Sequence, residues 1–153
     1  MILIICFILF NIIITENILK GVFYICSSLD EDYKFIENVS TVNIKPLGIR
    51  DDLNKYYFRI KHLNNSFYIE SISSNKRLIL DDKNNLKLIE KNNTRNNNMS
   101  WNITKIKNDE YSIQNKETRN YLFFENYNIK CSKDISNIFK INISIYNQMY
   151  KNI

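Results

Sequence analysis

Beyond residue 21 the chain alternates apolar and polar positions in short blocks, separated by stretches rich in Asn, Asp, Ser and Lys. A two-residue alternation puts every second side chain on one face of a strand. The Ile, Phe and Tyr that fill these blocks suit a pleated, half-buried surface. No 11-residue window after Gly21 sustains the apolar stripe of period 3.6 that a helix needs to bury one face. The blocks therefore predict strands. Intervening segments such as Asp81-Asp82-Lys83-Asn84-Asn85 predict turns, because Asn and Asp bond their own backbone and tolerate left-handed conformations.

The blocks also recur. Phe23-Tyr24-Ile25 returns as Phe67-Tyr68-Ile69 and, more loosely, as Tyr111-Ser112-Ile113, each step 44 residues long. At the same offset Phe35-Ile36-Glu37-Asn38 matches Ile79-Leu80-Asp81-Asp82 and Phe123-Phe124-Glu125-Asn126. Val42-Asn43-Ile44 matches Leu86-Lys87-Leu88 and, with one residue deleted, Ile129-Lys130-Cys131. Each unit closes on an aromatic-x-Ile: Phe58-Arg59-Ile60, Trp101-Asn102-Ile103 and Phe139-Lys140-Ile141. Four strands in each of three units predict an all-β domain over 22–153, with repeats at about 22–65, 66–109 and 110–147.

Residues Met1 to Ile14 are apolar except for Asn11. As a helix the run spans roughly 21 Å, short of the roughly 30 Å hydrocarbon core of a bilayer. That length suits a signal-peptide helix over residues 1–21, cleaved after Thr15 or Gly21, and hence a secreted, extracellular protein with no membrane association after cleavage. An uncleaved anchor and a buried N-terminal helix are the other two readings. In an oxidising compartment Cys26 and Cys131 could pair, or both could remain buried thiols. Their spacing resembles no metal site, and neither metal nor cofactor is expected.

Composition changes this picture little. Asn, Ile and Lys number 25, 27 and 16 and Ala is absent, a bias consistent with an AT-rich genome. The net charge of +5 is spread among interspersed acids, with no basic stripe or motif for nucleic acid. The best basic cluster, Lys83, Lys87, Lys91, Lys105 and Lys107, reads first as a solvated face.

Three four-stranded units of about 40 residues resemble a β-trefoil. Within the trefoils, the aromatic-x-Ile that closes each unit is similar to the Gln-x-Trp end of the ricin B-type lectin repeat. Trp101 keeps that tryptophan, Phe58 and Phe139 replace it in the other units, and Tyr56, Met99 and Asn137 occupy the Gln position. The resemblance implies carbohydrate binding. The family's sugar-binding Asp would fall at Phe35, Ile79 and Phe123, so a lectin activity here would use other groups.

Those groups are expected in the acid–amide pairs past the second strand of each unit. Asp81, Asp82 and Asn84, with Glu125, Asn126 and Tyr127, could hydrogen-bond sugar hydroxyls while the Tyr127 ring stacks on the sugar. The plainer reading is that such residues only build hairpin turns. Trp101, Phe58 and Phe139 are expected in the core, since threefold equivalence puts them on one inward face. His62 is the single histidine, with no matched Ser or Cys, which argues against the common hydrolase designs. Six Asn-x-Ser/Thr sequons, at Asn38, Asn64, Asn92, Asn98, Asn102 and Asn142, offer glycosylation sites. The expected role is a non-catalytic recognition module for glycans or glycoproteins at a cell or host surface. A trefoil protease inhibitor using the segment Lys91 to Met99, and a structural spore or cell-wall protein, are the alternatives.

Overall fold

Strand pairing is what organises the molecule. The computed structural model describes residues 22–27, 33–46, 48, 52–92, 97–107, 110–126, 128–134 and 139–143. The N-terminal run and its expected signal peptide lie outside the described residues, as does Tyr127. Twelve strands are described: β1 (Val22–Ser27), β2 (Tyr33–Asn38), β3 (Thr41–Pro46), β4 (Phe58–Leu63), β5 (Ser66–Ser71), β6 (Arg77–Leu80), β7 (Leu86–Ile89), β8 (Trp101–Lys107), β9 (Glu110–Asn115), β10 (Tyr121–Glu125), β11 (Asn128–Ser132) and β12 (Phe139–Ile143).

Six of them close a ring. β1 pairs with β4, β4 with β5, β5 with β8, β8 with β9, β9 with β12, and β12 with β1, all antiparallel. Closure removes the unpaired edges an open sheet would expose. The other six form the hairpins β2–β3, β6–β7 and β10–β11. This is the β-trefoil.

The sequence repeat is a spatial repeat. Phe23 lies opposite Phe58, Phe67 opposite Trp101, and Tyr111 opposite Phe139. Ile25, Ile69 and Ile113 are fully buried, as are Phe58, Trp101 and Phe139. Phe35 meets Phe58 and Phe139 edge-on, with centroids 6.4 and 5.5 Å apart, the geometry ring quadrupoles favour. The Trp101 Nε1–H donates to the Leu78 carbonyl at 3.2 Å, so the largest core side chain buries no unsatisfied donor.

A polar position repeats at the same interval. Ser27, Ser71 and Asn115 are buried opposite Phe139, Phe58 and Trp101. After Ser71 and Asn115 the chain makes the same turn: Ser71 N–H donates to the Lys76 carbonyl (2.9 Å) and Asn115 N–H to that of Asn120 (2.8 Å). Asn75 and Arg119 take left-handed φ values of 59° and 62° within these two turns.

One register in the sequence repeat requires correction. Cys26 pairs with Lys34, Glu70 with Arg77, and Gln114 with Tyr121, so the first unit carries one more residue in this connection. The equivalent core residues are therefore Phe35, Leu78 and Leu122, all fully buried. Asn38, not Glu37, is the counterpart of Asp81 and Glu125. The second unit regains the residue in its β6–β7 hairpin, which restores the 44-residue step for Ile44 and Leu88.

Candidate functional site

The three hairpins differ, and the difference is chemical. In the second, Asp81 sits across from Lys87 at 2.7 Å, and its Oδ1 accepts from the backbone N–H groups of Lys83 (2.9 Å) and Asn85 (2.8 Å). Burial opposes ionisation of this carboxyl, but Lys87 and the turn N–H groups prevail and hold it well below the usual carboxylate range. In the third hairpin the equivalent Glu125 pairs with the equivalent Lys130. The first hairpin places Asn38 and Asn43 at these two positions. Neither amide side chain has a hydrogen bond to another described residue.

Asn38 and Asn43 line a cleft of about 690 Å³ between the first and third units. Ile36, Glu37, Val42 and Ile44 contribute its buried side, while Lys45, Asp52, Lys55 and Asn128 are exposed around it. Glu37 is buried and accepts a hydrogen bond from Ser71 Oγ. A short 3₁₀ turn, Leu53–Tyr56, supplies one wall. Asp52 caps it, accepting from Asn54 N–H at 3.0 Å, and the buried Tyr56 ties it to β3 by donating to the Pro46 carbonyl at 3.3 Å. The lining is thus amides, carboxylates and ammonium groups over an aliphatic floor, a composition able to hydrogen-bond several hydroxyls at once.

The expected site residues lie on the other two hairpins. Asp82 and Asn84 are exposed in the β6–β7 turn, where Asn84 has φ 62° and its Oδ1 accepts from Asn120 Nδ2 at 2.7 Å. Asn126 takes φ 50° in the β10–β11 turn, and its carbonyl accepts from Asn128 Nδ2 at 2.9 Å. The turns use Asp81, Asn84 and Asn126, and none of the five described residues lines the cleft. Sequence reasoning missed Asn38 and Asn43 because a one-residue offset hid their equivalence to an ion pair.

Val39 follows Asn38 at the tip of the first hairpin. It takes φ 55° and is 86% exposed. Left-handed backbone costs an L-residue about 1–2 kcal/mol, and a branched Cβ aggravates the clash.

A second charged cluster gathers around Glu70 of β5. Glu70, 1% exposed, is met by Lys61 (3.0 Å), Lys91 (3.1 Å) and Arg77 (3.1 Å), and the Arg77 guanidinium also lies 4.4 Å from the centroid of the Tyr68 ring. Burial opposes ionisation, but these three cations outweigh it and keep the Glu70 carboxyl below its ordinary value. Of the basic cluster read from sequence, Lys87, Lys91 and Lys107 are engaged in ion pairs with Asp81, Glu70 and Glu110. Cys26 and Cys131 form no disulfide, and burial, with the Asp81 charge adding, pushes the Cys131 thiol up to about 12. Among the described residues no group of three His, Cys, Asp or Glu could hold a metal, and no helix is long and apolar enough to cross a membrane. Residues 93–96 of the segment considered as an inhibitory loop lie outside the described residues.

No protein-family model and no curated protein sequence matches the chain. Solved structures do. The designed threefold-symmetric protein ThreeFoil superposes with a TM-score of 0.63 at 12% identity, over 80% of this chain and 98% of that one. SeviL, solved bound to the asialo-GM1 saccharide, gives 0.65 at 13% identity, over 82% and 98%. An endo-β-galactosidase from Clostridium perfringens that releases GlcNAcα1-4Gal gives 0.66 at 7% identity, over 78% of this chain but only 31% of that protein. At such identities the likeness is one of fold alone.

Proposed function

We propose that the chain is a secreted, non-catalytic carbohydrate-recognition module that binds glycans or glycoproteins at a cell or host surface, and that the sugar sits in the cleft of the first unit. One observation carries this reading: the position that is a self-neutralised carboxylate–lysine pair in the second and third units is a pair of amides, Asn38 and Asn43, without side-chain partners among the described residues. Amides present both donors and acceptors, which sugar hydroxyls require. Occurrence of the same fold in SeviL, a protein solved bound to a saccharide, supports the class of ligand. The carboxylates nearby support binding rather than hydrolysis, since Glu37 is bonded to Ser71 and Asp52 caps the 3₁₀ turn.

A glycan array of the full chain tests the proposal. Binding that falls about tenfold or more in Asn38→Ala/Asn43→Ala, where two hydrogen-bonding groups are lost, supports the cleft. Asp81→Ala/Glu125→Ala is the companion variant. If that one abolishes binding and the amide variant does not, the ligand belongs on the hairpin turns with Asp82, Asn84, Asn126 and Tyr127. Absence of glycan binding by the unaltered chain refutes the carbohydrate reading itself.

A further inference from the structure

Val39 is the residue least explained by folding. It occupies the first position of the two-residue turn between Asn38 and Thr41, in a left-handed conformation that its branched Cβ resists. The molecule contains its own control. The equivalent turn between Glu125 and Asn128 starts with Asn126, at φ 50° against 55° for Val39. Asn also takes four of the other non-glycine left-handed positions described: Asn64, Asn65, Asn75 and Asn84. In a chain with 25 asparagines, a valine at this position runs against both the conformation and the composition. Nor does packing compensate, because the side chain is 86% exposed. Neither local conformation nor packing accounts for this strained, solvated apolar residue beside Asn38 of the cleft.

We infer that Val39, beside Asn38 and next to the cleft but not in its lining, is an added apolar contact that selects a sugar bearing a methyl group, in the form of an N-acetylated hexose; the inference rests on the carbohydrate reading above. The described lining offers no aromatic ring, so the face of a hexose has nothing to stack on. The two methyls of a valine instead cover a group of their own size. An acetamido substituent supplies that methyl together with an N–H and a C=O, which the amides of Asn38 and Asn43 complement.

The test compares inhibition of glycan-array binding by N-acetylglucosamine and glucose, and by N-acetylgalactosamine and galactose, for the full chain and for Val39→Asn. The expected result for the unaltered chain is a preference of about fourfold for at least one acetamido sugar over its parent, the worth of one buried methyl group. In Val39→Asn that preference disappears while Tm rises by about 3 °C, because the strain is relieved. Val39→Gly moves both readouts in the same directions. A preference that survives the substitution overturns the inference while leaving the cleft as the binding site. So does a Tm that falls, since the valine would then be serving the fold. If none of the four sugars inhibits array binding that the unaltered chain does show, this inference fails and the carbohydrate reading stands; absence of array binding removes both.

Discussion

In the barrel, Ile25, Ile69 and Ile113 stand 44 residues apart and are all fully buried; at the hairpin tips, the equivalent of Asn126 is Val39 in one unit and Asp82, inside a longer turn, in another. Both regions descend from the same repeated pattern. The barrel position sees two neighbouring strands and a shared interior, so each copy is held to the shape of the other two. The hairpin tip sees solvent, and its copies drift independently in length, charge and backbone strain. Symmetry therefore marks what closes the fold, and departures from symmetry mark positions that closure does not constrain.

Substitutions sharpen this contrast. The largest effect is expected in the barrel, where Trp101→Ala removes a fully buried ring and leaves the Leu78 carbonyl without its donor, costing about 3–5 kcal/mol by urea denaturation. A loss under about 1 kcal/mol would show that the interior is not packed as described.

Next comes Glu70, which leaves three cations without their common carboxylate when replaced. Glu70→Gln is expected to cost about 1–3 kcal/mol at neutral pH. The cations hold the folded-state pKa below the ordinary value, so this stability is present above that value and is lost as pH falls through the folded one. A Tm profile should therefore decline on acidification below about pH 4.5, the ordinary Glu value, and the decline should be shallower in Glu70→Gln. Parallel profiles would show that the cluster does not control the titration.

Smaller effects separate the two acidic hairpins. Asp81 accepts from two backbone N–H groups besides Lys87, so Asp81→Ala should cost about 1 kcal/mol. Glu125 and Lys130 are each about half exposed, and Glu125→Ala should change stability by less than about 0.5 kcal/mol. Equal losses would mean that the Asp81 turn bonds contribute nothing.

Much of this was legible in the order of residues. Aromatic-x-Ile at the end of each unit located Phe58, Trp101 and Phe139, and the alternation located the strands they begin. What misled was arithmetic at Glu37: an even 44-residue spacing put it on a turn with Asp81, whereas one added residue in the first connection and one in the second hairpin cancel over the full repeat. The burial of Glu37 against Ser71 and the cleft behind Asn38 were invisible for that reason. So was the Glu70 cluster, since Lys61, Arg77 and Lys91 belong to three separate segments.

The linear chain by itself determined the number of units, the strand character of each block and the inward face, because periodicity and side-chain chemistry act over a few residues. Only the tertiary structure decided which copies of a position remain equivalent and which polar groups are left without partners. Those properties depend on the register between strands from different units, and a single inserted residue shifts that register without disturbing the local pattern.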